Sequence, residues 1–169
     1  MAMSFSPEGL EKFEQIKARY PENHRRAALI PTLILAQEEF GFVSVESMEY
    51  VAQLLELPPA KVLHAATFYT MFNKRPVGER HVQVCKSVSC AVMGAHALVH
   101  YLEDKLGIAA GETTRDGKFT LQEVECLAAC GYAPMLQCNE DYHENLGKPG
   151  EDGTWPEVDA LLEQWGFQG

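Results

Sequence analysis

Four of the five cysteines fall in two pairs, Cys85-Lys-Ser-Val-Ser-Cys90 and Cys126-Leu-Ala-Ala-Cys130. Thiolates are soft ligands, and an all-sulfur set selects zinc or an iron–sulfur cluster. The plant-type ferredoxin pattern also begins with four residues between its first two cysteines, but it needs a third cysteine two residues on. Met93 stands there. The bacterial two-cluster spacing is absent, and no Cys-x-His pair supports a Rieske centre. Two loops that each give two thiolates can bind a [2Fe–2S] rhomb, one pair per iron. A structural zinc site also takes four cysteines with two to four residues between paired ligands, although its knuckles commonly carry Gly or Pro and only Gly131 does so here. A disulfide oxidoreductase needs Cys-x-x-Cys, which does not occur. The residues alone leave the cluster and the zinc-stabilised interaction module both open.

Other candidates carry less. Cys138 lies in an apolar strand-like run and reads as a small buried hydrophobe. His96 and His100 share a helical face without acidic support and read as surface residues. Gly111 to Lys118 is one residue too long for a phosphate loop, and Phe119 replaces the magnesium-binding hydroxyl. No Gly-x-Gly-x-x-Gly occurs either, so no nucleotide site is expected on this chain.

These cysteines need elements to hold them. The chain has 169 residues, 46% hydrophobic and 22% charged, enough for one large domain or two small ones with roughly 70% of the unfolded surface buried. No apolar run approaches the ~20 residues of a membrane span. Met1–Pro7 is too short and polar for a signal peptide and is not Arg-rich, which predicts a cytoplasmic, bacterial protein. Thiols stay reduced there, so clustered cysteines point to metal or redox chemistry rather than disulfides. The net charge is −10. Up to Pro76, 8 Lys/Arg meet 9 Asp/Glu; from Val77 on, 6 meet 15. That balance argues against nucleic acid and should lower the reduction potential of a centre in the second half.

Ser6-Pro7-Glu8 reads as a helix start, with Leu10, Phe13 and Ile16 on its apolar side up to about Arg19. A second helix is expected from about Arg25 to Phe40, stopped by Gly41, with a kink or an ordered start at Pro31. Leu29, Ile30, Leu33, Ile34 and Phe40 form its apolar side. Ser44 caps a third helix to about Leu55, facing Met48, Val51, Leu54 and Leu55 inward. Pro58-Pro59 opens a fourth, from Ala60 to Phe72. Of Phe68, Tyr69, Met71 and Phe72, several are expected in the core, with docking as a second use. Asn73 to Gly78 is the boundary, giving domains 1–76 and 77–169.

Beyond it the apolar period changes from 3.6 to 2. His81–Cys85 is a strand, and Cys90 begins a helix to about Leu106, where its thiolate would gain from the helix dipole. Gly111–Lys118 is turn-rich with Asp116-Gly117 as a hairpin signal, and 119–124 and 135–138 are strands. Gly147–Gly153 is a loop, and Pro156–Trp165 is a last helix pinned by Trp155 and Trp165. The class is α+β: a helical bundle, then a compact α/β layer. Val88 and Leu127-Ala128-Ala129 are expected to give the centre an apolar surround near the surface.

The chain resembles the 24 kDa-type [2Fe–2S] subunit family of NADH:quinone oxidoreductase (complex I), shared with diaphorase modules of NAD-dependent hydrogenases and formate dehydrogenases. The resemblance runs from Arg26-Ala-Ala-Leu-Ile-Pro31 and Leu35-Ala-Gln-Glu-Glu-Phe-Gly41 through Ala66-Thr-Phe-Tyr-Thr70 and His81-Val-Gln-Val-Cys85 to Val124-Glu-Cys126-Leu-Ala-Ala-Cys130. It implies that the second domain is a thioredoxin-like ferredoxin and that Cys85, Cys90, Cys126 and Cys130 bind one [2Fe–2S] cluster. It also implies a partner subunit that binds NADH and FMN, and a complex peripheral to the inner face of the plasma membrane. Two positions depart from the family's pattern: Ser89 stands where members often have Pro, and Ala128 where they often have Gly.

Overall fold

A computed structural model describes residues 3–167. The chain divides into two compact units, with the division between Pro76 and Val77.

The first unit is helical. α1 (Pro7–Ala18) opens as its residues dictate: the Ser6 hydroxyl accepts the Gly9 N–H at 3.0 Å, and Pro7 takes the first helical position. Glu39 accepts from both the Ser6 N–H and its hydroxyl, at 2.9 and 2.5 Å, tying this start to α2 (Leu29–Phe40). The chain before α2 is a 3₁₀ stretch (Glu22–Ala28), bent at His24 where φ is −122° and ψ 33°. α2 therefore starts at Leu29 rather than Arg25. Pro31 falls in its first turn, where a missing N–H costs nothing. Gly41 ends it with φ +80°. α3 (Val45–Leu55) is capped by Ser44, whose hydroxyl accepts the Ser47 N–H at 3.1 Å. Phe13, Leu29, Leu33, Met48, Val51, Leu55 and Val62 are buried together. Ile34 is exposed and Leu54 only half-buried, so the apolar stripes are narrower than their composition implies.

α4 (Pro59–Phe68) is shorter than expected, because Tyr69 leaves the helix with φ −85° and ψ 114°. The Asn73 backbone fixes the exit: its N–H donates to the Gln37 side chain at 2.6 Å and its carbonyl accepts the Val43 N–H at 2.7 Å. That geometry drops Phe72 into the core at 1% exposure. Phe68, Tyr69 and Met71 are left outside at 70%, 42% and 46%, which corrects the expectation that several of them are core.

The second unit is built on a four-stranded sheet ordered β2-β1-β3-β4. β1 (Arg80–Cys85) runs parallel to β2 (Phe119–Val124), while β3 (Leu136–Cys138) pairs antiparallel with β1 and with β4 (Asp141–His143). The parallel pair requires a crossover. It is made by α5 (Val88–Val92) and α6 (Ala95–Leu106), and α6 packs on β1 and β2. One helix was expected from Cys90 to Leu106. Gly94, at φ +99°, breaks it in two. The turn signalled by Asp116-Gly117 forms, with the Gly117 N–H on the Thr114 carbonyl at 2.9 Å. α7 (Pro156–Gln164) is anchored by Val158, Leu162 and Trp165 and by Trp155, whose indole N–H donates to the Leu146 carbonyl. Val82, Val84, Leu98, Leu102, Leu121, Met135 and Leu136 complete this core.

Candidate metal centre

The parallel register sets the site. Cys85 lies beside Val124 at the ends of β1 and β2, and the Lys86 N–H continues the ladder to the Val124 carbonyl at 2.9 Å. Both strands end together, and the Cys85 thiol reaches the Glu125 carbonyl at 4.0 Å, one residue before Cys126. The chain turns at Ser87 into α5, which carries Cys90. α5 packs against a 3₁₀ turn, Cys130–Tyr132, that carries Cys130. Two loops thus bring the four sequence-predicted cysteines to one end of the sheet. Cys138 points into the core from β3 instead, and burial pushes its thiol up to about 11. His96 and His100 are exposed on α6, and His100 pairs with Glu103 at 3.0 Å.

The four thiols are unequal. All are free; Cys85 and Cys90 are buried, and Cys126 and Cys130 are exposed. Cys90 is the third residue of α5, inside the helix rather than at its cap. Its thiol is pushed up to about 11, first by burial, then by a hydrogen bond to Cys85 and by the Cys85 charge; a hydrogen bond from the Met135 backbone opposes this. The dipole gain expected for Cys90 is therefore outweighed by desolvation. These are the metal-free thiols, and metal binding takes up the thiolate and releases the proton. The Cys126 sulfur accepts the Ala128 N–H at 3.3 Å, and Ala128 itself has φ +61°.

The Met135 carbonyl accepts the Cys85 N–H at 3.4 Å and so ties the end of β1 to the chain entering β3. Nothing in the residue types signals that role. The Tyr142 hydroxyl steadies the other loop through the Leu127 carbonyl at 2.8 Å. The apolar surround is partial. Leu127 and Ala129 pack on the core, but Val88 is 77% exposed and Ala128 is exposed as well. Among the described residues, no three His, Cys, Asp or Glu side chains gather around a single point as one metal ion requires. The donor set remains four soft sulfurs from two loops, with the Cys126 sulfur receiving a backbone N–H, and this chemistry fits an iron–sulfur centre.

The mixed sheet, its crossover helices and the cysteine-bearing edge define a thioredoxin-like iron–sulfur protein. The chain belongs to the thioredoxin-like [2Fe-2S] ferredoxin family, which matches residues 13–152. Membership implies one [2Fe–2S] cluster. The chain is 46% identical over 155 residues to a subunit of the NADH-quinone oxidoreductase of Rhizobium meliloti (strain 1021), covering 92% of this chain and 87% of that one. It is 41% identical over 163 residues to an NADH-quinone oxidoreductase subunit of Rickettsia typhi (strain ATCC VR-144 / Wilmington), covering 96% and 92%. Among solved structures, an NAD+-reducing [NiFe]-hydrogenase in the H2-reduced state superposes with a TM-score of 0.68 at 21% identity, over 83% of this chain and 22% of the hydrogenase chain. That likeness concerns the fold alone. Among the described residues, no helix is long and apolar enough to cross a membrane.

Proposed function

We propose that this chain is an electron-transfer subunit of an NADH:quinone oxidoreductase, holding one [2Fe–2S] cluster on Cys85, Cys90, Cys126 and Cys130 beside the FMN of a partner subunit that oxidises NADH. The observation that carries it is the meeting of the two cysteine loops at one edge of the sheet, set by the β1–β2 register. The relatives' names support the complex. When bound, the cluster supplies one-electron storage and transfer. The protein's part is to hold it. Cys85 and Cys90 form the buried side, the Ala128 N–H donates to the Cys126 sulfur, and Cys126 and Cys130 form the exposed side a redox partner can approach. The assembled complex lies at the inner face of the plasma membrane, with quinone reduced by other subunits.

The test is an anaerobic, iron-replete preparation with iron and acid-labile sulfide counted on the sample used for electron paramagnetic resonance. Two irons, two sulfides and one reducible spin are expected. Cys126→Ser should strip or distort the signal, and Cys138→Ser should leave it unchanged. Stoichiometric zinc without sulfide would defeat the reading. Purification from native cells should bring a flavoprotein, and quinone-reducing subunits in the same complex separate this assignment from a hydrogenase or formate dehydrogenase diaphorase.

A further inference from the structure

We propose that a groove on the first unit is a docking site for an acidic segment of a partner protein, anchored by an apolar side chain. α4 places Lys61, His64, Ala65 and Phe68 at i, i+3, i+4 and i+7, one stripe that is exposed except at the half-buried Ala65, while Val62 and Ala66 are buried on its other side. Arg26, Leu29 and Tyr69 complete the walls of a cavity of about 250 Å³. No residue lining it is acidic. Among the described residues, the ion pairs of this unit engage Lys12, Lys17 and Arg25, not Arg26 or Lys61. The groove thus keeps two permanent cations outside those ion pairs, around an apolar floor and beside a histidine.

Its aromatic wall is already ordered. Phe68 and Tyr69 meet edge to face with centroids 5.1 Å apart, although Phe68 is 70% exposed. Aromatic and Arg side chains in a concave patch are the usual composition of an interface centre. Charge selects the occupant. This unit carries nearly balanced charge, 8 Lys/Arg against 9 Asp/Glu, and the groove's own lining offers Arg26 and Lys61 without a carboxylate, a local field that favours an acidic segment over a basic one, while a polyphosphate backbone needs a longer basic track than two cations. What remains complementary is a short carboxylate-bearing segment with an aliphatic or aromatic anchor. The groove contains no cysteine, so the inference stands apart from the cluster assignment, and its failure would leave that assignment untouched.

The probe is a fluorescein-labelled helical peptide of Glu with Leu and Trp on one face, titrated against the full chain by anisotropy, with a Lys-for-Glu peptide as its counterpart. The acidic peptide should bind and the basic one should not. Binding should weaken with salt, and Arg26→Glu with Lys61→Glu should weaken it roughly tenfold. Phe68→Ser should weaken it too, without changing the circular dichroism, and Arg115→Glu in the second unit should have no effect. No binding of the acidic peptide, equal binding of both peptides, or full affinity in the charge-reversed chain would overturn the proposal. A concentration-dependent dimer in sedimentation, abolished by Lys61→Glu, would assign the groove to a second copy and overturn it as well.

Discussion

Ala128 holds a left-handed backbone, φ +61°, between two cysteines. That conformation costs an L-residue roughly 1–2 kcal/mol, and it follows directly on the Ala128 N–H that donates to the Cys126 sulfur at 3.3 Å. Glycine adopts it freely. Ala128→Gly should therefore stabilise the cluster-loaded chain by about 1 kcal/mol, or roughly 2–4 °C in anaerobic thermal unfolding. The spin signal should be unchanged, because the N–H is kept. A lower midpoint would mean that the loop gains more from alanine's restricted unfolded state than it loses in strain. His143 has a different liability. Its Nε2 is buried without a hydrogen-bond partner among the described residues, and its ring meets Trp165 edge to face at 5.2 Å. Burial holds its pKa below the ordinary value against the opposing pull of Asp141, and burial does the same to His81 against the Gln122 hydrogen bond. The unfolded chain takes up these protons near pH 6.5 and the folded chain only below that. Stability from these groups is thus complete above about 6.5 and is lost as pH falls through the depressed folded values. His143→Phe keeps the ring packing and removes the titration. It should flatten the difference in urea midpoint between pH 7.5 and 5 and add about 1 kcal/mol at the acid end.

At the scale of elements, the break between α5 and α6 sets where Cys90 sits. Gly94, at φ +99°, lets α5 end and α6 restart, with its N–H on the Ala91 carbonyl at 3.1 Å and its carbonyl accepting from Leu98 at 3.1 Å. A Cβ there would meet Trp155 at an ordinary 3.8 Å, so the obstacle to a side chain is the backbone rather than space. Gly94→Ala should cost about 1–2 kcal/mol and loosen Cys90. The readout is a faster loss of visible absorbance under iron chelation than in Leu63→Ala, a surface change on the first unit. This break also lies at the edge of what the sequence makes legible. Alternation and turn residues make β1, β2 and the Asp116-Gly117 turn readable, Ser6 and Ser44 do so for α1 and α3, and Pro156 at the first helical position does so for α7. A glycine inside an apolar helical pattern is ambiguous, and only packing decides that it interrupts. α4 reads as too long because Tyr69–Phe72 keeps helical apolar spacing, while the Asn73 contacts that unwind it come from α2 and Val43. β4 escapes notice because three polar-leaning residues on one partner carry no alternation. The cysteine pairs are visible by residue type. Their inequality is not, since Cys85 and Cys90 are buried in a core completed by residues far along the chain, Met135 and Trp155 among them.

Across the molecule, charge is the property that bears most directly on an electron. The cysteine-bearing unit carries 15 Asp/Glu against 6 Lys/Arg. Adding an electron to a cluster inside that field is disfavoured, so the midpoint potential should lie well below that of NADH. The field has a local handle. Lys86 follows Cys85, Glu125 precedes Cys126, and their charged groups are 3.5 Å apart with Glu125 largely exposed. Such a pair adds little to stability, but each member acts on the cluster separately. Glu125→Gln leaves Lys86 uncompensated and should raise the potential, while Lys86→Gln leaves Glu125 uncompensated and should lower it. Each shift should be on the order of tens of millivolts for exposed charges in a high effective dielectric. Salt should act with one sign throughout: screening the net negative unit should raise the wild-type potential, and the two variants should converge as ionic strength increases. A redox titration at low and high salt separates this from loop distortion, because a distorted loop would shift both variants in the same direction and keep the shift at high salt.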